Sequence, residues 1–245
     1  VFGYALKPIN QFDLYNLTKL KKKIKGEVIG DILNLKKFKR FVKIVKPEIV
    51  FHLAAQPFVR KSYKTPYQTY QTNCIGTLNV LECCRKLSSL RSVLIITTDK
   101  VYNNNEKKRA FSEKDVLGGK DPYSSSKAIA ELISKSYRLN YFNKKNNAFI
   151  ATARAGNVIG GGDWSNDRII PDCIKCYSKK KTVIIRNPNS TRPWQHVLEP
   201  IFGYLYFAYT LSKANHLNGD VYNFGPKYKN TFNRDVLDVI NELNK

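Results

Sequence analysis

Acidic side chains are scarce: 19 aspartates and glutamates stand against 42 lysines and arginines in 245 residues, giving a formal net charge of +23. Such an excess attracts nucleic acid or anionic membranes, but the features those partners need are missing. The lysine runs Lys19, Lys21 to Lys23 and Lys25, and then Lys179 to Lys181, are not interleaved with aromatic stacking residues. No helix-turn-helix or zinc-finger signature is present either. A noncatalytic nucleic-acid-binding protein is therefore the weaker of the functional classes, and no nucleic-acid partner is expected. Long hydrophobic runs are absent too. Nothing approaches the about 20 apolar residues of a membrane span, and Val1-Phe2-Gly3-Tyr4-Ala5-Leu6 is too short for the core of a signal peptide. No membrane partner and a cytoplasmic location are expected. The five cysteines, Cys74, Cys83, Cys84, Cys173 and Cys176, are odd in number, which argues against a disulfide framework. Cys173-x-x-Cys176 lacks a second cysteine or histidine pair at zinc spacing, so no metal is expected.

The chain does contain short apolar runs rich in β-branched residues. They fall at Glu27 to Gly30, Ile49 to Leu53, Val93 to Thr97, Ala148 to Ala153 and Val221 to Phe224. Near-continuous apolarity over so few residues marks strands buried on both faces. Helical patterns lie between them at Leu35 to Lys46, Pro66 to Leu87 and Tyr123 to Asn143. The alternation predicts an α/β fold, a doubly wound parallel sheet whose ligands sit at the carboxyl ends of the strands. Gly156 to Asp163 reads as a flexible turn where the chain leaves the sheet for a smaller lobe, and Trp194 to Val197 with Val221 to Phe224 as the return. Neither end of the sequence reads as complete.

Tyr123-Ser124-Ser125-Ser126-Lys127 carries the chemistry most directly. On a helix Tyr123 and Lys127 are one turn apart on one face. A buried ammonium there would favour the phenolate and let tyrosine act as a base near neutrality. The same spacing also describes an ordinary surface pair. Company decides between the two: His52-Leu53-Ala54-Ala55-Gln56, Asn73-x-x-Gly76-Thr77, Thr97-Thr98-Asp99-Lys100, Tyr123-x-x-x-Lys127 and Arg154-x-x-Asn157-Val158 follow one another in order.

In that order and spacing the chain resembles the extended short-chain dehydrogenase/reductase family. The runs Asp121 to Lys127, Ala153 to Trp164 and Arg192 to Val197 are most similar to its CDP-glucose 4,6-dehydratases. The resemblance implies a Rossmann-like fold with NAD as cofactor, a CDP-sugar substrate, a homodimer, and a place in deoxysugar and polysaccharide biosynthesis. It divides the chain into an NAD-binding domain, residues 1–157 with 194–225 returning to it, and a substrate lobe of 158–193 and 226–245. Another sugar nucleotide dehydratase or epimerase of the same family is the alternative.

By the same resemblance Tyr123 takes the C4 hydroxyl proton, Lys127 holds the nicotinamide ribose, and Thr98 bonds the same sugar oxygen. Asp99 is the acid for the departing C6 hydroxyl. Lys100 stands where dTDP-sugar enzymes have glutamate, as a base if its pKa is depressed and otherwise as an electrostatic stabiliser. Asp31, Ala54, Ala55 and Asn73 match cofactor positions, and Asn157, Arg168 and Arg192 match positions facing the nucleotide sugar. Taken without the family, Asp31 reads as a helix cap, the alanines as packing, and Asn73 as a partner for backbone groups. His52 and His196 read as structural. The family opens with a strand and a G-x-x-G-x-x-G turn that cradles the dinucleotide. No such turn occurs in this sequence, so a fragment lacking the first βα unit is expected.

Overall fold

The computed structural model describes residues 1–104, 109–142, 148–226 and 233–243. In chain order the elements are β1 (Phe2–Ala5), α1 (Leu14–Leu17), β2 (Gly26–Ile29), α2 (Leu35–Val45), β3 (Ile49–His52), α3 (Val59–Lys64), α4 (Pro66–Tyr70) and α5 (Gly76–Cys84). There follow β4 (Ser92–Thr98), α6 (Pro122–Tyr141), β5 (Phe149–Ala155), β6 (Asn157–Ile159), α7 (Ile169–Tyr177), β7 (Thr191–His196), α8 (Leu198–Leu211), β8 (Val221–Phe224), β9 (Asn233–Asp235) and α9 (Val236–Leu243).

Strands β3-β4-β5-β8 form an all-parallel sheet, as the apolar runs require. Its centre is buried on both faces: Val93 and Ile95 of β4 and Ile150 of β5 join a cluster with Phe38, Val42, Val80, Leu81 and Phe142 of the covering segments. Leu94, Ala151 and Ala153 face the other way, against Tyr204, Phe207, Ala208 and Leu211 of α8. Each fully buried leucine contributes about 1.5–3 kcal/mol relative to exposure, so the sheet is clamped from both sides. Strands β1 and β2 pair in parallel with each other but not with β3. They are held to the rest through packing, with Tyr4 edge-on to Phe38 at 5.0 Å between ring centroids.

The stretch from Gly156 differs from the expected flexible turn. Residues 157–159 form β6, which pairs with β7, and β7 pairs antiparallel with β9 in a separate three-stranded sheet. Trp194 to His196 thus belong to this second sheet, and the chain rejoins the main one with α8 and β8. Trp194 Nε1 donates to the Arg234 carbonyl at 3.2 Å, which fixes β7 to β9. Gly156 makes the crossover possible, because a Cβ there would lie 2.6 Å from Pro193 and 3.1 Å from the Asp99 carboxylate. Within the proposed 226–245 segment, residues 227–232, 244 and 245 lie outside the described residues.

The predicted helix over 66–87 is also interrupted. Between α4 and α5 residues Gln71–Ile75 widen into a π-type turn, a feature frequent at functional sites. The wide turn aims Asn73 inward. Its amide oxygen accepts from Gln56 N at 2.8 Å, and its nitrogen donates to Gln56 O at 3.1 Å and Ser126 Oγ at 2.8 Å.

Candidate active site

Helix α6 starts where its sequence dictates. Asp121 caps it, accepting from Ser124 N at 3.0 Å and from the Ser124 hydroxyl at 2.5 Å, and Pro122 occupies the first turn. Gly119 lets the preceding loop press on that turn, since a Cβ there would lie 2.3 Å from backbone atoms of Ser124 and Ser125. The cap sets Tyr123 and Lys127 against the carboxyl end of β4. Both are buried, as are Thr97 and Thr98.

The Thr98 side chain lies close enough to Tyr123 to favour its phenolate, donates to Asp99 Oδ1 at 3.2 Å, and accepts from Lys100 N at 3.4 Å. One threonine therefore gathers the phenol, the carboxyl and the backbone of the lysine. Burial pushes the Tyr123 phenol above its ordinary pKa; Thr98 pulls it down, Asp99 raises it and Arg168 lowers it. This corrects the expectation that Lys127 would bring the phenol toward neutrality. The Lys127 ammonium donates instead to the Ile96 carbonyl at 2.7 Å, and burial depresses it to about 8, with Glu131 and Cys74 opposing.

Burial likewise raises the Asp99 carboxyl, although Lys100, Thr98 and Arg192 favour its charged form. Lys100 keeps more solvent contact than its neighbours, but desolvation of its ammonium lowers its pKa. Arg192 and Arg168 lower it further, while Asp99 and Asp121 oppose them. Both shifts run in the direction an elimination needs, the carboxyl toward its acid form and the ammonium toward its base.

Arg168 and Arg192 reach this cluster electrostatically. Arg168 stacks on the Phe58 ring at 5.1 Å, and its Nε is buried with no hydrogen-bond partner among the described residues. Arg192 Nη1 donates to the Thr191 carbonyl at 2.9 Å. Asn157 lies in β6 opposite Trp194. Asp31, just after β2, is exposed and accepts from Leu33 N at 2.8 Å; the cap of α2 is Asn34, which accepts from Lys37 N. Ala54 is exposed and Ala55 half-buried, directly after β3.

His52 is structural, as expected. It is buried with Nε2 3.0 Å from the Thr77 hydroxyl, and burial drives its pKa down to about 3. Sequence reasoning missed Glu131, Tyr102 and Asn223, which surround the buried Arg154. Arg154 binds α6 and the end of β4, not the two lobes to each other. Glu131 was detectable in principle, since 123, 127 and 131 recur at helical spacing on one face.

A doubly wound parallel fold with Tyr-x-x-x-Lys set against a Thr-Asp-Lys strand end defines the extended short-chain dehydrogenase/reductase class. Within it, the GDP-mannose 4,6 dehydratase family profile matches residues 6–242, and the chain belongs to that family. It is 44% identical over 231 residues to CDP-glucose 4,6-dehydratase of Salmonella typhimurium, covering 93% of this chain and 64% of the relative. It is 29% identical to dTDP-D-glucose 4,6-dehydratase of Dictyostelium discoideum, covering 82% of this chain and 46% of that one. The chain thus spans less than two thirds of the length of these relatives. Among solved structures it superposes with a TM-score of 0.82 and 27% identity on UDP-glucuronic acid 4-epimerase from Bacillus cereus in complex with UDP-glucuronic acid and NAD, covering 99% of this chain and 73% of that chain. The dTDP-glucose 4,6-dehydratase DesIV from Streptomyces venezuelae shares the fold at a TM-score of 0.81 and 20% identity, covering 98% of this chain and 70% of that chain.

Proposed function

We propose that this chain carries the catalytic residues of an NAD-dependent CDP-glucose 4,6-dehydratase, which converts CDP-D-glucose to CDP-4-dehydro-6-deoxy-D-glucose. The observation that carries the reading is Thr98, which donates to Asp99 Oδ1 at 3.2 Å and lies beside Tyr123, favouring its phenolate. In this reading Tyr123 accepts the C4 hydroxyl proton, with Arg168 easing formation of the phenolate. The C4 carbonyl then acidifies the C5 proton. Lys100, whose charged form burial disfavours, removes that proton, and Asp99, whose acid form burial favours, delivers one to the departing C6 hydroxyl. Arg168 and Arg192 present forks suited to the substrate diphosphate, and the unpartnered Arg168 Nε is a donor in want of such an oxygen. Asn157 faces the same sugar.

For the dinucleotide, Asp31 follows the carboxyl end of β2 and Ala54 and Ala55 that of β3, the strand ends at which such folds bind ligands. When bound, NAD would accept the C4 hydride and return it at C6. Asp31 would meet the adenine side, the two alanines would let the backbone approach, and Lys127 would hold the nicotinamide ribose. Asn73 would act by fixing Gln56 and Ser126. Residues 1–157 with 194–225 would form the cofactor domain, and 158–193 with 226–245 the substrate lobe.

A homodimer is the second part of the reading. Leu132 and Leu139 on α6, and Tyr63 and Tyr67 on the neighbouring α3 and α4, are exposed, apolar area that a second copy could cover. Sedimentation velocity should give a dimer, and Leu139→Glu should shift it toward monomer; a monomeric parent protein removes the idea. A cytoplasmic location suits the five free thiols, and fractionation of the source cells tests it.

Full-length protein given CDP-glucose and NAD should release a product lighter by one water with no net NADH. Asp99→Asn should slow dehydration by at least about 100-fold while C4 oxidation persists. Unchanged turnover in that variant would instead mark an epimerase.

A further inference from the structure

Three successive residues at the end of β4 are held by three successive turns of α6. The Tyr123 side chain lies beside Thr98, Lys127 Nζ donates to Ile96 O at 2.7 Å, and Thr97 Oγ1 donates to Glu131 Oε1 at 2.6 Å. Only the first two touch the chemistry proposed above. The third leads into a buried row that crosses the sheet, because Thr97, Arg154 and Asn223 are register partners on β4, β5 and β8. Arg154 forks onto both Glu131 oxygens, at 2.9 and 2.5 Å, with the two side chains only 3% and 5% exposed. Its Nη1 also donates to Tyr102 OH at 2.8 Å, and that hydroxyl donates to Asn223 Oδ1 at 2.5 Å.

Nothing in the dehydration uses Glu131, yet a buried charge pair is costly to keep in a core and replaceable by apolar side chains. Its placement gives it work: on α6 it lies one turn from Lys127. The other titratable groups coupled to Lys127 are Cys74 from the π-type turn and His52 from β3. Burial keeps both neutral, the thiol pushed up to about 11 and the imidazole down to about 3. The Glu131 carboxylate is therefore the anion opposite the ammonium.

We propose that Glu131 is the positioning residue of this site, anchoring α6 to the Thr97–Arg154–Asn223 row and serving as the counter-ion that keeps Lys127 an ammonium. The idea deepens the dehydratase reading and rests on it for what Lys127 does, but its test does not need turnover. In chain labelled with 13C at lysine Cε, with the Lys127 resonance assigned through Lys127→Arg, the NMR titration of Lys127 should have its midpoint near 8. Glu131→Gln should lower that midpoint by about one pH unit or more. Should the single variant fail to fold, Glu131→Gln with Arg154→Gln removes the stranded guanidinium together with the carboxylate and should still lower the midpoint, by less because a neighbouring cation is lost with it. Tyr102→Phe removes a hydroxyl but no charge, so it should reduce thermal stability and leave the midpoint in place. A midpoint unmoved by removing Glu131, or moved as far by Tyr102→Phe, overturns the proposal. A shifted midpoint in protein that never dehydrates CDP-glucose would retain Glu131 as counter-ion and reject the dehydratase reading.

Discussion

Arg154→Met is expected to cost about 3–5 kcal/mol of unfolding free energy, because it strands the Glu131 carboxylate in the core without its fork. Urea denaturation at neutral pH would measure the loss. Converting both partners, Glu131→Met with Arg154→Met, should recover most of it, since neither half of the fork is then left without the other. The contrast with the surface is large. Arg109 and Asp115 form an equally short pair at 2.6 Å, but water screens it, and Arg109→Ala should leave the denaturation curve where it is. A double variant as unstable as the single one would mean that Arg154 stabilises through Tyr102, on whose ring it stacks at 4.8 Å, and not through Glu131.

Acid should be the second strong perturbant, and His52 the reason. Burial holds its folded pKa near 3 against an ordinary 6.5. Between those values the unfolded chain takes up a proton that the folded one refuses, so stability falls as pH drops through that window and is flat above it. At about 1.4 kcal/mol per unit, the loss is about 3 kcal/mol by pH 4.5 and approaches 5 kcal/mol near pH 3. His52→Gln keeps a polar group for Thr77 but cannot titrate, so its stability should change far less between pH 7 and pH 4.5. Comparing the two proteins cancels Asp99, whose raised pKa acts in the opposite direction, and the acid-sensitive Glu82, held well below its ordinary range by Arg85. Parallel pH profiles for the two proteins would exclude His52 as the source.

The main sheet was readable from sequence because its central strands β4 and β5 are buried on both faces and its outer strands β3 and β8 are largely shielded, and burial writes itself as an apolar run. Ile49 to Leu53 became β3 almost to the residue, and Val221 to Phe224 became β8 without change. The catalytic set was legible for a different reason: Tyr123 and Lys127 share a helix face, and the end of β4 must meet that face. What stayed hidden depends on contacts between distant segments. The strand at 157–159 lies in a glycine-rich stretch whose composition reads as a turn, and only pairing with β7 makes it extended. The π-type turn around Asn73 leaves no compositional mark, because it exists to bring one amide to Gln56 and Ser126. The direction of the Tyr123 shift was missed because sequence places Lys127 beside the phenol, whereas Ile96 claims its ammonium.

Lys7, Lys19, Lys21, Lys22, Lys23 and Lys25 crowd the segments that flank β1 and β2, and two copies approaching along those strands must bring like charges together. At physiological ionic strength that repulsion reaches only about 8 Å, roughly the distance at which strands begin to pair. The positive charge that resembled a nucleic-acid footprint thus acts as a short-range repulsion between copies of the chain, and concentrated salt removes it.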